Sequence, residues 1–235
     1  MARIVLTNDD GVDAPGLAAL RRAAGKIGEP VIVAPVREHS GCSHGITGGS
    51  PIAYRRVSED IYVVEGTPAD CVRSALHFFH GQVGFVLSGI NNGANLGVDV
   101  YHSGTVAAAR EAAFHGVRGI AISHYRDRTL QESDWERAAC WTAALLVELT
   151  DREWAPRTFL NFNLPCPGIG LEEMPSIVRC PLDPSPLPLS FREGEGTLLY
   201  NGRYAMRQRQ AGHDVAVCLG GSLSYTEISL MEPSR

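Results

Sequence analysis

The sequence predicts an α/β protein with a doubly wound, mostly parallel sheet and a C-terminal β-hairpin arm. Three observations carry this expectation. Short apolar, β-branched runs alternate with amphipathic or Ala-rich segments through the first two-thirds of the chain. The runs are apolar at consecutive positions, as strands covered on both faces require. Beyond about residue 165 this pattern gives way to a proline-dense stretch and then to short alternating segments.

The elements follow in order. "RIVLT" (3-7) is the first strand, and Pro15-Gly16 introduce a helix over 16-27. "PVIVAP" (30-35) and "IYVVE" (61-65) are the next strands, followed by a helix over 68-80. "VGFVLSG" (83-89), a helix over 104-116 and "GIAIS" (119-123) continue the alternation, which closes with a helix over 133-150 and "TFLNFNL" (158-164). Right-handed crossovers between such strands build a Rossmann-like sheet. "CPLDPSPLPLS" (180-190) holds too many prolines for a helix or a central strand. "TLLYNGRYAMR" (197-207) predicts a hairpin turned at Asn201-Gly202. "DVAVCLGGSLSYTEISL" (214-230) predicts one or two further strands. The expected organisation is a core over 1-165, an arm over 166-213 and strands over 214-235 that return to the core.

Composition narrows the function. With 44% hydrophobic residues, 20% charged residues and a net charge of -5, the chain is a folded globular protein. It has no basic surplus to hold a nucleic-acid polymer, although one local site can still bind a small nucleotide. Neither a leader-like start nor an apolar run of roughly 18 to 20 residues is present, which points to a cytoplasmic protein rather than a membrane one. Six scattered cysteines without a C-x-x-C pair are expected to be reduced thiols.

The chemistry-bearing residues fall where the strands end. In open α/β sheets ligands bind beyond the carboxyl ends of the strands. Asn8, Asp9 and Asp10 follow the first strand directly. Two adjacent carboxylates repel each other unless a cation lies between them. With an amide and nearby hydroxyls they form an oxygen-rich site suited to Mg²⁺, Mn²⁺ or Ca²⁺. The next strand end leads into the Gly-rich loop "APVREHSGCSHGITG" (34-48), which carries Ser40 and His44. "SGINNGANLG" (88-97) brings Asn91 and Asn95 among glycines that let backbone amides approach an anion. Ser103, Gly104 and Thr105 open an Ala-rich helix, and a helix start with hydroxyls is a phosphate site as well as an ordinary cap. His102 stands beside it as a candidate general acid, with His44 a weaker one. Thr67 and Asp70 are as well suited to capping a helix as to touching substrate.

Taken in order, "TNDDG", the Ser40 loop, "GTPADC" (66-71), "SGINNGANLG" and "HSGTVAAA" resemble the SurE family of survival-protein nucleotidases. The resemblance spans roughly residues 1 to 165. It implies a Rossmann-like fold and a divalent-metal-dependent phosphatase acting on nucleoside monophosphates. It also implies one cation per subunit, Mg²⁺ or Mn²⁺, held by Asp9, Asp10, Ser40 and Asn91. The phosphate would then be bound by Asn95, Ser103, Gly104 and Thr105. By the residues' own chemistry Asn8 and His102 join Asp9 and Asp10 as the expected catalytic set, and the family's arm would join subunits into a homodimer or homotetramer. Where the family carries a Thr-Arg-Gln motif in its arm, this chain has "SIVRCPLDPSPLPLSF". A dinucleotide oxidoreductase would need a Gly-rich fingerprint after the first strand, where two aspartates stand instead. An aspartyl-phosphate phosphatase would need Asp-x-Asp. A non-catalytic metal- and nucleotide-binding module is the remaining alternative.

Overall fold

The computed structural model describes residues 2–150, 152–166, 173–202 and 204–230. Eleven strands are described: β1 (Arg3–Thr7), β2 (Pro30–Pro35), β3 (Tyr54–Ser58), β4 (Ile61–Val64), β5 (Val83–Asn91), β6 (Arg118–His124), β7 (Thr158–Leu164), β8 (Ile177–Arg179), β9 (Phe191–Gly194), β10 (Thr197–Tyr200) and β11 (Leu223–Ser229). The helices are α1 (Pro15–Ala24), α2 (Pro68–Phe78), α3 (Gly104–Phe114), α4 (Glu132–Thr150) and α5 (Asp214–Leu219). No helix among the described residues is long and apolar enough to cross a membrane.

Nine strands form one sheet in the order β3-β4-β2-β1-β5-β6-β7-β11-β8. From β4 to β7 all neighbours are parallel. The chain starts in the middle at β1, runs outward through β2 and β4, then crosses back to β5 and runs out the other way. The reversal of strand order lies between β2, β1 and β5, so their carboxyl ends frame the crevice.

The two faces explain why the strands read as unbroken apolar runs. Ile4, Leu6, Ile32 and Leu87 join Leu17, Leu20, Trp135, Trp141 and Leu145 under α1 and α4. The alternate residues Val5, Val31, Val33 and Val86 meet Val72, Ala75 and Ala108 of α2 and α3. Close approach of a helix to the sheet is visible at Gly16. A Cβ there would sit 1.9 Å from the Ile90 carbonyl oxygen.

The core matches the expected elements, whereas the C-terminal third differs at two points. The hairpin pairs β9 with β10, and its turn is Glu195-Gly196, with Gly196 at φ +66°. Asn201 instead closes the open end of this ladder: its N–H donates to the Ser190 carbonyl at 2.9 Å, and its side-chain oxygen accepts from the Ser190 hydroxyl at 2.6 Å. The chain cannot continue as a strand beyond it because Tyr204–Met206 form a short 3₁₀ turn drawn against the core. The second difference is α5, a helix within the stretch expected to be strands. Asp214 opens it, accepting the Val215 N–H, and Val215 and Cys218 face inward one turn apart. Gly220-Gly221 stop it before β11. Only β11 of this stretch is a strand, and it pairs with β7 antiparallel. Residues 167–172, 203 and 231–235 of the expected arm and return lie outside the described residues. The edge strands β3 and β8 were not anticipated; both are short and mostly exposed, so they lack an apolar signature.

Candidate active site

The centre of the site is the turn after β1. Asn8 is fully buried and its side-chain amide donates to the Gly11 carbonyl at 2.8 Å, which closes the turn around the two aspartates. Gly11 has φ +100°, and a Cβ there would lie 3.3 Å from the Arg37 carbonyl carbon. The Asp9 carbonyl accepts the His39 N–H at 2.7 Å, tying the Ser40 loop to the end of β1. Asn92 donates its backbone N–H to Asp10 Oδ2 at 3.3 Å. Asp9 itself points at the start of α3. Thr105 donates its N–H to Asp9 Oδ2 at 3.1 Å and its hydroxyl to Asp9 Oδ1. Gly104 permits this approach, since a Cβ there would meet the Asp9 Cβ and Cys42 Sγ, each at 2.9 Å.

These loops enclose a cleft of about 570 Å³ at the carboxyl edge of the sheet. Asp9, Asp10, Ser40 and Asn91 all line it, so the four expected metal ligands share one space. Asn95, His102 and Ser103 line it as well. Asn8, Gly104 and Thr105 stand behind the wall. Of the side-chain groups expected to meet a phosphate, several are engaged within the protein. Asn95 donates its side-chain amide to Ser123 Oγ at 2.7 Å, and its backbone carbonyl accepts from the Asn161 and Asn163 side chains. Ser103 Oγ accepts the Val106 N–H at 3.1 Å as the cap of α3. Thr105 is directed wholly to Asp9. His44 lies away from the cleft, with Nε2 2.8 Å from Glu111 Oε2. Thr67 and Asp70 form a reciprocal capping box on α2, and Asp70 also accepts from Thr47.

The turn holds two adjacent carboxyls whose charged forms are disfavoured. Burial raises the Asp9 carboxyl above its ordinary range, against hydrogen bonds from Thr105 that favour the charged form. Burial, with the charge of Asp9 next, pushes Asp10 up to about 6. No group of three or more His, Cys, Asp or Glu with metal-binding arrangement is present among the described residues. A cation here would therefore depend on two carboxylates plus the oxygens of Ser40 and Asn91. Asn91 holds its amide nitrogen on the Gly93 carbonyl at 2.7 Å, which leaves its oxygen available. This donor set fits a hard divalent ion.

The family model described as survival protein SurE matches residues 4–180. The chain belongs to the SurE family. The alr3139 protein of Nostoc sp. strain PCC 7120 is 50% identical over 226 residues, spanning 96% of this chain and 98% of that protein. The 5′-nucleotidase SurE of Rhodopirellula baltica is 38% identical over 218 residues, spanning 90% of this chain and 79% of its own. The crystal structure of the SurE protein from Aquifex aeolicus superposes with a TM-score of 0.84 at 29% identity, covering 99% of this chain and 95% of that one. The SurE match extends past residue 165, where the motif-based resemblance ended.

Two parts of this SurE cleft escaped sequence reasoning. Arg126, just beyond β6, lines it. Its position after a parallel strand on the same edge was a usable signal. The second part comes from the arm. Tyr204 lines the cleft, and its hydroxyl donates to Asp99 Oδ2 at 2.8 Å. Arg207, 4% exposed, reaches the same oxygen at 2.6 Å and the Leu96 carbonyl at 3.3 Å. No local pattern marks this long-range cluster.

Proposed function

We propose that the protein is a divalent-metal-dependent phosphomonoesterase that hydrolyses nucleoside 5′-monophosphates to nucleoside and phosphate. One observation carries the reading. Asp9, Asp10, Ser40 and Asn91, from three separate strand ends, converge on one cleft in a chain whose SurE relatives are named 5′-nucleotidases. A cation bound by these four residues would act as a Lewis acid toward a phosphoryl oxygen and lower the pKa of a water.

The chain's own residues do the rest. Asn8 and Gly11 shape the turn so that both carboxylates reach the cleft. Thr105 keeps Asp9 in place and favours its ionised form. His102, exposed in the cleft wall, would protonate the departing nucleoside oxygen. Ser103 and Asn95 supply polar edges beside it. The proposal extends to 3′-monophosphates, so the regiochemistry is part of the test.

The decisive experiment measures phosphate release from AMP, GMP, CMP, UMP and their 3′ isomers with Mg²⁺, Mn²⁺ or EDTA. Turnover with a metal and its loss in EDTA support the reading. Binding of AMP without turnover under any metal would establish a non-catalytic module instead. The six free thiols support a reducing, cytoplasmic setting. Exposed Leu189, Leu198, Leu199 and Met206 on and around the hairpin support self-association through the arm as a homodimer or homotetramer.

A further inference from the structure

The anion side of the cleft is short of positive charge. Asp9, Asp10, Glu38 and Asp99 line it, the last paired with Arg207, and Arg126 is the only Lys or Arg among the described residues that lines it. The start of α3, an obvious anion partner by sequence, is already engaged. Thr105 gives both its amide and its hydroxyl to Asp9, and the Val106 amide goes to Ser103 Oγ. A buried carboxylate thus occupies the positive end of that helix. A phosphate dianion entering beside these groups needs a donor that is both cationic and free.

Arg126 has that character. Its Nε donates to the Asn92 carbonyl at 3.2 Å, which holds the guanidinium beside the turn carrying Asn91. Its terminal nitrogens make no hydrogen bond among the described residues. The guanidinium edge is therefore oriented at one nitrogen and open at the others, a geometry that takes two oxygens of one phosphate.

We infer that Arg126 is the phosphate-binding cation of this cleft, pairing through its free guanidinium edge with non-bridging oxygens of the substrate phosphoryl group. The inference rests on the phosphomonoesterase reading above and adds to it a residue outside the expected set. It also explains how a cleft lined by four carboxylates admits an anion: a cation held by the aspartates and Arg126 would share the compensation.

Calorimetry separates binding from positioning. Mn²⁺ is titrated first into wild type, Arg126→Gln and Arg126→Lys, and inorganic phosphate is then titrated into each Mn²⁺-loaded protein. Arg126→Gln should weaken phosphate by at least about tenfold, as loss of a charged hydrogen bond implies. Arg126→Lys should fall between, since an ammonium keeps the charge but not the fork. Mn²⁺ affinity should stay level or rise in Arg126→Gln, because a positive charge near the carboxylates is removed. Phosphate affinity within about twofold of wild type in Arg126→Gln would overturn the assignment. So would a parallel loss of Mn²⁺ affinity, which would reduce Arg126 to a support for the Asn91–Gly93 turn. A wild type that binds neither ion and releases no phosphate from AMP would overturn the phosphomonoesterase reading and this one together. A wild type that does both, with an unaltered Arg126→Gln, would overturn this one alone.

Discussion

Thr105→Val is the most informative single substitution because it keeps the side-chain shape and removes one hydroxyl. That hydroxyl, in a fully buried side chain, donates to Asp9, which is itself 5% exposed. A hydrogen bond to a buried ionised group is worth about 1.5–3 kcal/mol. Asp9 keeps the Thr105 backbone N–H at 3.1 Å, so the lower part of that range is the better expectation. In a chain of this length 1 kcal/mol shifts Tm by roughly 2–4 °C, so metal-free Thr105→Val should melt about 3–6 °C lower at pH 8. The sign with pH follows from the carboxyl. The Asp9 pKa is raised by burial, and the lost bond favoured the charged form, so the variant's pKa lies higher still. The Tm deficit is therefore full above both folded pKa values and shrinks as pH falls below them. Mn²⁺ competes with that proton, so its affinity should drop more at pH 6 than at pH 8. Differential scanning calorimetry in EDTA and Mn²⁺ titrations at the two pH values check this. An unchanged Tm in EDTA, with phosphate affinity weakened tenfold and Mn²⁺ affinity intact, would refute the reasoning and return the Thr105 hydroxyl to the phosphate.

Three further outcomes are expected. Asp10→Asn removes one carboxylate charge at nearly constant shape, so Mn²⁺ affinity and turnover should both fall by more than about tenfold; near-normal turnover at limiting Mn²⁺ would exclude Asp10 as a ligand. Because burial raises the folded Asp10 pKa from an ordinary 3.8 to about 6, ionising it costs stability that is lost as pH rises from about 4 to 6. Mn²⁺ should accordingly raise Tm more at pH 7.5 than at pH 5, and an equal rise would count against this linkage. Arg207→Met leaves Asp99 and Tyr204 without their cation and should cost about 3 kcal/mol by urea unfolding, the usual penalty for breaking a buried pair. Arg207→Met combined with Asp99→Asn should be markedly less unstable than the two effects added, and simple additivity would show that the pair is not coupled.

The core strands and the polar strand ends were legible in the sequence because both rest on local signals. Consecutive apolar residues such as Val31-Ile32-Val33 serve two helix-covered faces, and a doubly covered parallel strand has no other way to be written. The convergence of Asp9, Asp10, Ser40 and Asn91 then follows from topology, since parallel strands deliver all their carboxyl-end loops to one edge. Which partner each donor meets within the protein was decided only in three dimensions. Ser103, Gly104 and Thr105 have the composition of an anion-binding helix start, but the anion beside them is Asp9, brought from 96 residues away in the chain. Likewise Tyr204 and Arg207 follow a turn-rich arm and read as part of it, while their contacts with Asp99 make them part of the cleft wall. The hairpin and α5 differ from expectation for the same reason. Asn201-Gly202 is a sound turn and "DVAV" a sound strand by local preference, yet Arg207 at Asp99 and Asp214 at Gly97 pull both segments onto the core. Propensity works over a few residues and fractions of a kcal/mol, whereas a buried charge requires partners wherever the fold supplies them.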